Sequence, residues 1–213
     1  MTFLSAFILI SSIAFNETNK VDTHVINGAI TLQTTEILKV KTRTSPNLSL
    51  VFENSAGSDG FAGLILEDFK TMFEQKKIKT YARGYCLSTC SFAFLMGEHP
   101  TLLPPTSWIS PTYLLVHPIM KANNYEIVRD KTDQILQQIV AKSQNKISIE
   151  FLNHIYVTKN LKGGIYIFRK PITNSETKEK SYVQVCTGLE TRIPFSCKSL
   201  PDVTPESLGI SVE

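Results

Sequence analysis

The sequence predicts an α/β fold with largely parallel strands, and three observations lead to that prediction. Short β-rich runs recur along the chain, and several are followed by a loop and then by a segment with helical spacing. The composition is 42% hydrophobic and 19% charged over 213 residues, which fits a globular domain with a core and not a disordered chain. A loop of small residues at 54–60 separates a strand from a helix, and in parallel α/β folds such loops form sites at the carboxyl ends of strands.

The first 22 residues predict a signal peptide and a polar spacer. Residues 3–15 are uncharged, and at 13 residues they are shorter than the roughly 20 needed to span a bilayer. Small residues at Ser12 and Ala14 predict cleavage after Ala14, and the polar segment 16–22 follows directly. The prediction is therefore a periplasmic or secreted protein. Two alternatives stay open, an uncleaved segment that anchors the chain to a membrane and a buried N-terminal strand or helix.

The first half of the chain predicts strand, helix, strand and helix in turn. Residues 23–31 predict a strand, and the more ambiguous segment 32–44 favours a short helix. Residues 48–53, rich in Leu, Val and Phe, predict the second strand. Residues 61–76 predict an amphipathic helix. Its apolar positions at helical spacing are Leu64, Ile65, Phe69, Met72 and Phe73.

The second half continues this pattern and ends in a predicted hairpin. Further strands are predicted at residues 78–81, 101–105, 113–117, 165–168 and 182–185. The apolar segment after residue 88 and the long stretch 125–156 predict helices. A polar stretch at 174–180 separates the last two strands, as in a β-hairpin. The predicted domains are an α/β domain at residues 23–164 and a C-terminal β-hairpin extension at residues 165–213.

Four cysteines fit an oxidising compartment, because an even number in an exported protein predicts disulfides. The candidate pairs are Cys86 with Cys90 and Cys186 with Cys197, and the second pair flanks a hairpin that it would staple. Cys86 and Cys90 bracket Ser88, and three interpretations stay open for them: a clamping disulfide, two buried free cysteines, or a redox control. Zinc is disfavoured, since the chain has no CxxC pair and its four histidines lie at no ligand-like spacing.

The charge pattern argues against nucleic acid as a partner. The net charge is +3, and Lys and Arg are spread along the chain. A nucleic-acid site would need basic residues clustered and interleaved with aromatics, and the sequence has no such run. Neither a metal nor another cofactor is expected.

Ser88 is the candidate nucleophile, because it stands where a predicted strand turns into a helix. A serine at such a corner presents its hydroxyl beside backbone N–H groups and the positive end of a helix dipole. The alternative is a serine that only caps the helix. His117, at the end of an apolar strand, is the candidate base. The backbone N–H groups of Gly57 and Thr89 are the candidate donors to an oxyanion.

Taken together, these segments resemble the Clp-type serine peptidases of the Clp/crotonase superfamily. Residues 54–63 look like the family's oxyanion loop, residues 84–97 match its nucleophile segment without a gap, and residues 114–118 resemble the strand that carries its histidine. Residues 26–30 are similar to the first strand of the same fold, so the resemblance spans about residues 25–160. The cysteines around the serine point to an exported bacterial branch of the superfamily.

The resemblance implies a fold and a mechanism. The fold is a ββα spiral with largely parallel strands, to which this chain adds the C-terminal β-hairpin. Ser88 would attack a peptide carbonyl, His117 would transfer the proton, and Gly57 and Thr89 would hold the oxyanion. Rings or trimers are common among Clp-like folds, so a homo-oligomer is compatible with the resemblance. No ATPase partner is expected, because the periplasm supplies no ATP.

The chain departs from the family pattern in its oxyanion loop and at the third catalytic position. Ala56 replaces a proline of the loop, and Ser58 replaces its second glycine. Glu150 lies at or near the place of the third catalytic residue, and Asn153, one helical turn on, is the alternative.

The functional prediction is an exported, ATP-independent serine endopeptidase that acts on a peptide or protein substrate. One alternative is a catalytically inactive binding or scaffold protein with the same fold, because fold does not fix function. Another is an acyl-CoA enzyme of the crotonase type, which would use the same oxyanion donors.

Overall fold

A computed structural model describes residues 21–58, 60–106, 111–121 and 123–213. The strands are β1 (Asp22–Ile30), β2 (Leu48–Ser58), β3 (Lys79–Leu87), β4 (Glu98–Leu102), β5 (Tyr113–Val116), β6 (Gly164–Thr173), β7 (Lys180–Cys186), β8 (Lys198–Ser199) and β9 (Ser211–Val212). The α-helices are α1 (Leu32–Thr44), α2 (Ala62–Gln75), α3 (Thr89–Met96), α4 (Arg129–Lys142) and α5 (Ile149–Leu152), and 3₁₀ turns cover Asn153–Val157 and Glu206–Leu208. The predicted signal peptide and its cleavage point after Ala14 lie outside the described residues.

One mixed sheet contains all of these strands. Its main order is β1-β2-β3-β5-β6-β7-β8, and β4 and β9 branch from β3. Pairing is parallel from β1 to β5 and through β4 to β9, and it is antiparallel from β5 to β8. The prediction of an α/β fold with a mostly parallel sheet is confirmed. The spiral arrangement stays a prediction.

The helix favoured at residues 32–44 is confirmed as α1, and the residues at its two ends explain where it begins and ends. Thr31 and Thr34 form a capping box in which each side chain accepts the backbone N–H of the other, at 3.2 Å in both cases. Lys41 and Arg43 lie in the last turn, where positive charge favours the negative end of the helix dipole.

Strands β2 and β3 extend beyond their predicted ends, and the predicted loop at residues 54–60 is largely wrong. Residues 54–58 belong to β2, because parallel neighbours on both sides keep pairing with the small residues there. Ala29 pairs with Gly57 on one side and Cys86 pairs with Ser55 on the other. Both registers shift near this point, so the strand is irregular where it meets the end of β3.

The main core lies where the helices pack on one face of the sheet. Helix α3 contacts β2, α2 and α4, and every residue of α3 is buried. A helix that is apolar all round is suited to that central position. Phe69 on α2 packs against Phe52 of β2 and against Phe73, with ring centroids 6.0 and 5.7 Å apart.

A second, smaller cluster covers the opposite side of β5 and β6. Tyr166, Tyr113 and Phe168 pack against one another, with ring centroids of Tyr166 6.0 Å from Tyr113 and 6.1 Å from Phe168, and 5.5 Å between Tyr113 and Phe168. The buried members of this cluster are Leu115, Tyr166, Phe168, Cys186 and Cys197. The predicted boundary between residues 164 and 165 falls at the start of β6, and that strand continues the same sheet. Within the described part of the chain, no helix has both the length and the apolar character needed to cross a membrane.

Candidate active site

Ser88 lies at the corner between β3 and α3 in a backbone conformation that side chains seldom adopt. Its φ is 57° and its ψ is −125°. Such a conformation costs about 1–3 kcal/mol and persists only where the surroundings impose it. The side chain caps no helix N–H, so the interpretation of Ser88 as a helix cap is wrong. The residue is partly exposed, which leaves its hydroxyl accessible from solvent.

Three interactions hold this corner in place. The Ser88 N–H donates to the Leu115 carbonyl at 2.9 Å. The Ser91 hydroxyl, fully buried, lies 2.6 Å from the Cys86 carbonyl and 2.8 Å from the Leu115 carbonyl, and its single proton is shared between them. A disulfide joins Cys86 to Cys90 across the corner, which is one of the three interpretations that the sequence left open. The end of β3, the start of α3 and the end of β5 are thereby fixed relative to one another.

Gly57 brings the end of β2 against this corner. Its φ is +91°, and a Cβ atom at this position would lie 2.8 Å from the Leu87 carbonyl oxygen, 3.0 Å from Ser88 Cβ and 3.2 Å from Thr89 N. Only glycine allows so close an approach at that φ. The backbone of Gly57 is therefore packed directly on the candidate nucleophile and on the first residue of α3.

The two candidate oxyanion donors are the backbone N–H groups of Thr89 and Gly57. Thr89 is the first residue of α3, so its N–H has no acceptor within the helix and stands at the positive end of the dipole. The Gly57 N–H lies 3.5 Å from Ser55 Oγ, a length at which a hydrogen bond is weak. Ser58 forms a hydrogen bond between its Oγ and Thr89 Oγ1 at 2.9 Å, which ties the end of β2 to the helix.

His117 leaves the sheet beside Ser88. Leu87 pairs with Leu115 in the parallel β3–β5 ladder, so the two chains reach the same edge of the sheet one and two residues later. His117 is 6% exposed, and its Nδ1 lies 2.9 Å from the Pro118 carbonyl oxygen. A carbonyl only accepts, so Nδ1 carries the proton and Nε2 keeps the lone pair that a general base needs.

Burial also keeps His117 neutral. It lowers the pKa of the imidazole below the ordinary value of 6.5, and the hydrogen bond to the Pro118 carbonyl offsets part of that effect. No carboxylate among the described residues contributes to this shift or forms a hydrogen bond with the ring. No hydrogen bond joins Ser88 Oγ to His117 within the same described residues.

The two candidates for the third catalytic residue are both exposed. Glu150 lies in the first turn of α5, where its own backbone N–H and the Ser148 hydroxyl lower the pKa of its carboxylate. Asn153 begins the following 3₁₀ turn. Neither forms a hydrogen bond with His117 among the described residues, and the assignment of either as the third member stays a prediction.

The structure gives four residues roles that the sequence did not indicate. Ser58 and Ser91 hold the corner, Pro118 orients His117, and Gly164 lies against that histidine, where a Cβ atom would come 3.0 Å from His117 Cβ. The sequence does not show which group a hydroxyl or a main-chain carbonyl will form a hydrogen bond with. The His-Pro dipeptide was visible, but the direction of its carbonyl depends on the folded backbone.

The second predicted disulfide, Cys186–Cys197, is present and closes the loop between β7 and β8. Both Glu190 oxygens accept hydrogen bonds inside this loop, from Thr187 N at 2.6 Å, Thr187 Oγ1 at 2.9 Å and Gly188 N at 2.8 Å. Glu190 and the two sulfurs lie within 4.8 Å of one another. A disulfide offers no thiolate, so this group is a structural clamp and not a metal site.

The fold and this site define a mixed α/β protein with a serine at a strand-to-helix corner and a buried neutral histidine beside it. No family model matches the chain, and no curated protein matches it. Among solved structures, the chain is similar to the ClpP protease catalytic domain from Plasmodium falciparum, with a TM-score of 0.42 and 17% identity over 58% of this chain and 67% of that one. So distant a likeness carries no information on activity.

Proposed function

We propose that this protein is a serine endopeptidase that works outside the cytoplasm without an ATPase partner. The observation that carries the proposal is the packing of the Gly57 backbone on a strained Ser88 and on Thr89, the first residue of α3. Strain of this kind at an accessible serine is typical of a functional site. In the proposal, both N–H groups donate to the oxyanion that forms at Ser88.

In the proposed mechanism, Ser88 Oγ attacks the carbonyl carbon of a peptide bond and His117 Nε2 takes the hydroxyl proton. The N–H groups of Gly57 and Thr89 donate to the oxyanion of the tetrahedral intermediate. His117 then returns the proton to the leaving amine, and an acyl-enzyme forms on Ser88. Water, deprotonated by the same nitrogen, hydrolyses the ester and restores the serine.

The Pro118 carbonyl takes the position at Nδ1 that a carboxylate occupies in a complete triad. It fixes the tautomer, but it brings no negative charge to stabilise the imidazolium that forms during the reaction. Burial of His117 also disfavours that charged form. We therefore infer a slow Ser-His dyad, whose Ser88 to His117 hydrogen bond forms when substrate binds.

One observation favours a second candidate, a catalytically inactive binding protein. Within the described residues, Ser88 and His117 share no hydrogen bond and His117 has no carboxylate partner. A protein that had evolved from a peptidase into an inactive binding protein would keep the strand-to-helix corner, but it would no longer need a Ser88 to His117 hydrogen bond or a carboxylate beside His117.

The two disulfides fit a protein of the periplasm or the cell exterior, since cytoplasmic reductants keep most thiols reduced. An exported enzyme has no ATP supply, which supports a peptidase that acts on accessible or unfolded chains. Assembly into a homo-oligomer is a further part of the proposal.

The test is covalent labelling of the oxidised protein with a fluorophosphonate, followed by peptide mapping. Labelling is expected on Ser88, with loss of fluoride, and it should be absent in Ser88→Ala. In His117→Ala it should slow by about a hundredfold or more, because proton transfer to a positioned base is lost. His99→Ala, which removes an exposed histidine on β4, is the matched control and should label normally.

Incubation with a mixed peptide library then separates a peptidase from other serine hydrolases. Internal cleavage that Ser88→Ala abolishes supports the endopeptidase. Correctly oxidised protein that neither labels on Ser88 nor cleaves any peptide would be the inactive binding protein instead.

A further inference from the structure

A cavity of about 410 Å³ opens on the face of the sheet that carries His117. It lies between the start of β6 and the loop that the second disulfide closes. Its lining residues are Lys162, Tyr166, Glu190, Thr191, Arg192 and Ile193. None of them belongs to the proposed catalytic machinery.

Strand register places this cavity beside His117. Leu115 pairs with Tyr166 and Val116 with Ile165 in the antiparallel β5–β6 ladder, so His117 comes opposite Gly164. The would-be Cβ of Gly164 lies 3.0 Å from His117 Cβ, which fits that register. Side chains two apart on a strand share a face and lie about 7 Å apart. Tyr166, which lines the cavity, is therefore a diagonal cross-strand neighbour of the histidine, at about 7–8 Å.

The charge of the cavity comes from two cations without a carboxylate partner. Neither Lys162 nor Arg192 forms an ion pair within the described part of the chain, and both are exposed. Glu190 is the acid of the lining, but its two oxygens already accept three hydrogen bonds from Thr187 and Gly188. The lysine and the guanidinium therefore remain available to an incoming anion.

The loop that carries Arg192 is held in a defined shape. The Arg192 N–H donates to Ser196 Oγ at 3.1 Å, and the Ser196 N–H donates back to the Arg192 carbonyl at 2.9 Å. Cys197, the next residue, is bonded to Cys186 at the end of β7. A guanidinium on a fixed backbone can present its paired N–H groups to a carboxylate with little loss of entropy.

We propose that this cavity is a substrate subsite that binds a carboxylate of the peptide, namely an acidic side chain a short distance from the cleaved bond. The inference rests on the proposed function for the identity of the ligand as a peptide. Arg192 and Lys162 bind the carboxylate, and the ring of Tyr166 packs against the methylene groups of the acidic side chain. A C-terminal carboxylate has the same chemistry and is distinguished by the test.

The experiment measures binding to full-length Ser88→Ala protein with both disulfides formed, so that it does not depend on catalysis. The probes are capped pentapeptides, acetyl-Ala-Ala-X-Ala-Ala-amide with X as Glu, Gln or Lys, and acetyl-pentaalanine with a free C-terminal carboxylate. Amide NMR shifts of Tyr166, Thr191 and Arg192 report the cavity. The Glu peptide should bind about tenfold or more tightly than the Gln peptide, because hydrogen bonds to charged groups are the stronger ones.

The Glu preference should disappear in Arg192→Gln and weaken in Lys162→Gln. Arg43→Gln, which removes the same charge from an exposed site on α1, is the matched control and should keep the preference. Arg192→Lys should restore part of it, since charge returns without the paired geometry. If the free C-terminal carboxylate binds in place of the Glu side chain, the subsite stands and its occupant is the chain end.

The subsite would be overturned by equal binding of the Glu and Gln peptides without binding of the free C-terminal carboxylate, by no binding of any peptide, or by a preference that survives in Arg192→Gln. These outcomes are separate from the fate of the proposed function. Fluorophosphonate labelling of Ser88 without a Glu preference would keep the enzyme and remove the subsite. Glu-selective binding without labelling would keep the subsite on an inactive protein.

Discussion

Gly57 is the residue through which the end of β2 contacts the serine corner, and Gly57→Ala tests that contact. The new methyl group would lie 2.8 Å from the Leu87 carbonyl oxygen and 3.0 Å from Ser88 Cβ, at a φ of +91°. Because backbone atoms cannot yield as a flexible side chain would, we expect a loss of about 2–3 kcal/mol in the free energy of unfolding. Urea denaturation measures that loss, and labelling of Ser88 should slow with it.

Gly63→Ala is the control for this substitution. Gly63 lies within α2, and a Cβ atom there would meet no atom within 4 Å. Alanine at this site should leave labelling unchanged and stabilise the fold by roughly 0.5–1 kcal/mol, since alanine is the better helix former. If Gly57→Ala behaved like Gly63→Ala in both measurements, the close approach of Gly57 to Ser88 would be refuted.

His117 gives a prediction for the pH dependence of the reaction. Its pKa lies below 6.5 because burial disfavours the imidazolium, with partial compensation by the Pro118 carbonyl. The unfolded chain binds more protons than the folded one between the two pKa values, so this residue's contribution to stability is complete above 6.5 and is lost as the pH falls through the folded pKa. The base stays neutral at mildly acidic pH, and labelling should therefore persist there.

The measurement is the rate of fluorophosphonate labelling as a function of pH, compared with the NMR titration of the His117 ring. Both should give a midpoint below 6.5. His24→Gln is the matched control, because burial also lowers the pKa of His24 on β1, and its removal should not move the profile. A midpoint at or above 6.5, or a profile that shifts in His24→Gln, would contradict a neutral His117 as the base.

At the scale of single residues, the sequence predicted the candidate site residues at the strand-to-helix corner better than the residues that hold them in position. Ser88 and Gly57 were found because strand-to-helix order brings such corners together at the carboxyl ends of parallel strands. Pro118 and Ser91 were not found, because a carbonyl direction and a buried hydroxyl contact exist only after two strands have paired. The two carbonyls that Ser91 contacts, those of Leu115 and Cys86, lie on different strands of the sheet.

At the scale of elements, periodicity located helices and strands, and pairing set their ends. Helix α1 matches its predicted span because its caps are local. Strand β2 exceeds its prediction, because pairing with β1 and β3 carries it to Ser58 through a segment whose small residues suggested a loop. Helix α4 begins at Arg129, later than predicted, since Met120 and Ile127 first form a β-bridge.

The two disulfides stabilise different elements and should be separable by mutation. Cys86–Cys90 closes a separation of 4 residues across the corner, and Cys186–Cys197 closes one of 11 residues around the Arg192 loop. A longer closed loop constrains the unfolded chain more, so replacing the pair 186 and 197 by alanine should cost about 3 kcal/mol and replacing the pair 86 and 90 about 2 kcal/mol. Urea denaturation of the two double variants measures the difference.

The effects of the two disulfides on labelling and on peptide binding should also differ. All four sulfurs lie in buried residues, so the packing lost in the two double variants is comparable and each serves as control for the other. Loss of Cys86–Cys90 should slow labelling of Ser88, because the strained corner loses a clamp. Loss of Cys186–Cys197 should spare labelling and weaken the preference for acidic peptides. Slower labelling after loss of Cys186–Cys197, or a weaker preference for acidic peptides after loss of Cys86–Cys90, would show that this assignment of the two disulfides is wrong.

At the scale of the whole molecule, the sheet unites the proposed catalytic residues and the proposed subsite. Ser88 follows β3, His117 follows β5, and the cavity lies at the start of β6, so three adjacent strands carry them in order. The sequence indicated the parallel part of this sheet, but it placed the last strands in an extension. The pairing of β5 with β6 depends on contacts between distant segments, and apolar periodicity does not specify them.

The whole chain also has to reach a compartment where both disulfides can form, and its first residues are predicted to direct it there. Full-length protein expressed in a Gram-negative host should appear in the periplasm with both disulfides formed and Phe15 as its first residue, by intact mass and N-terminal sequencing. Leu9→Arg should block export, because a charge interrupts the apolar segment, and the protein should then keep reduced thiols and Met1. Thr2→Arg adds the same charge ahead of that segment, where positive charge favours export, and should leave processing intact. Cytoplasmic protein that starts at Met1 in all three forms would contradict export, whereas periplasmic protein that still carries Met1 would identify the segment as an anchor.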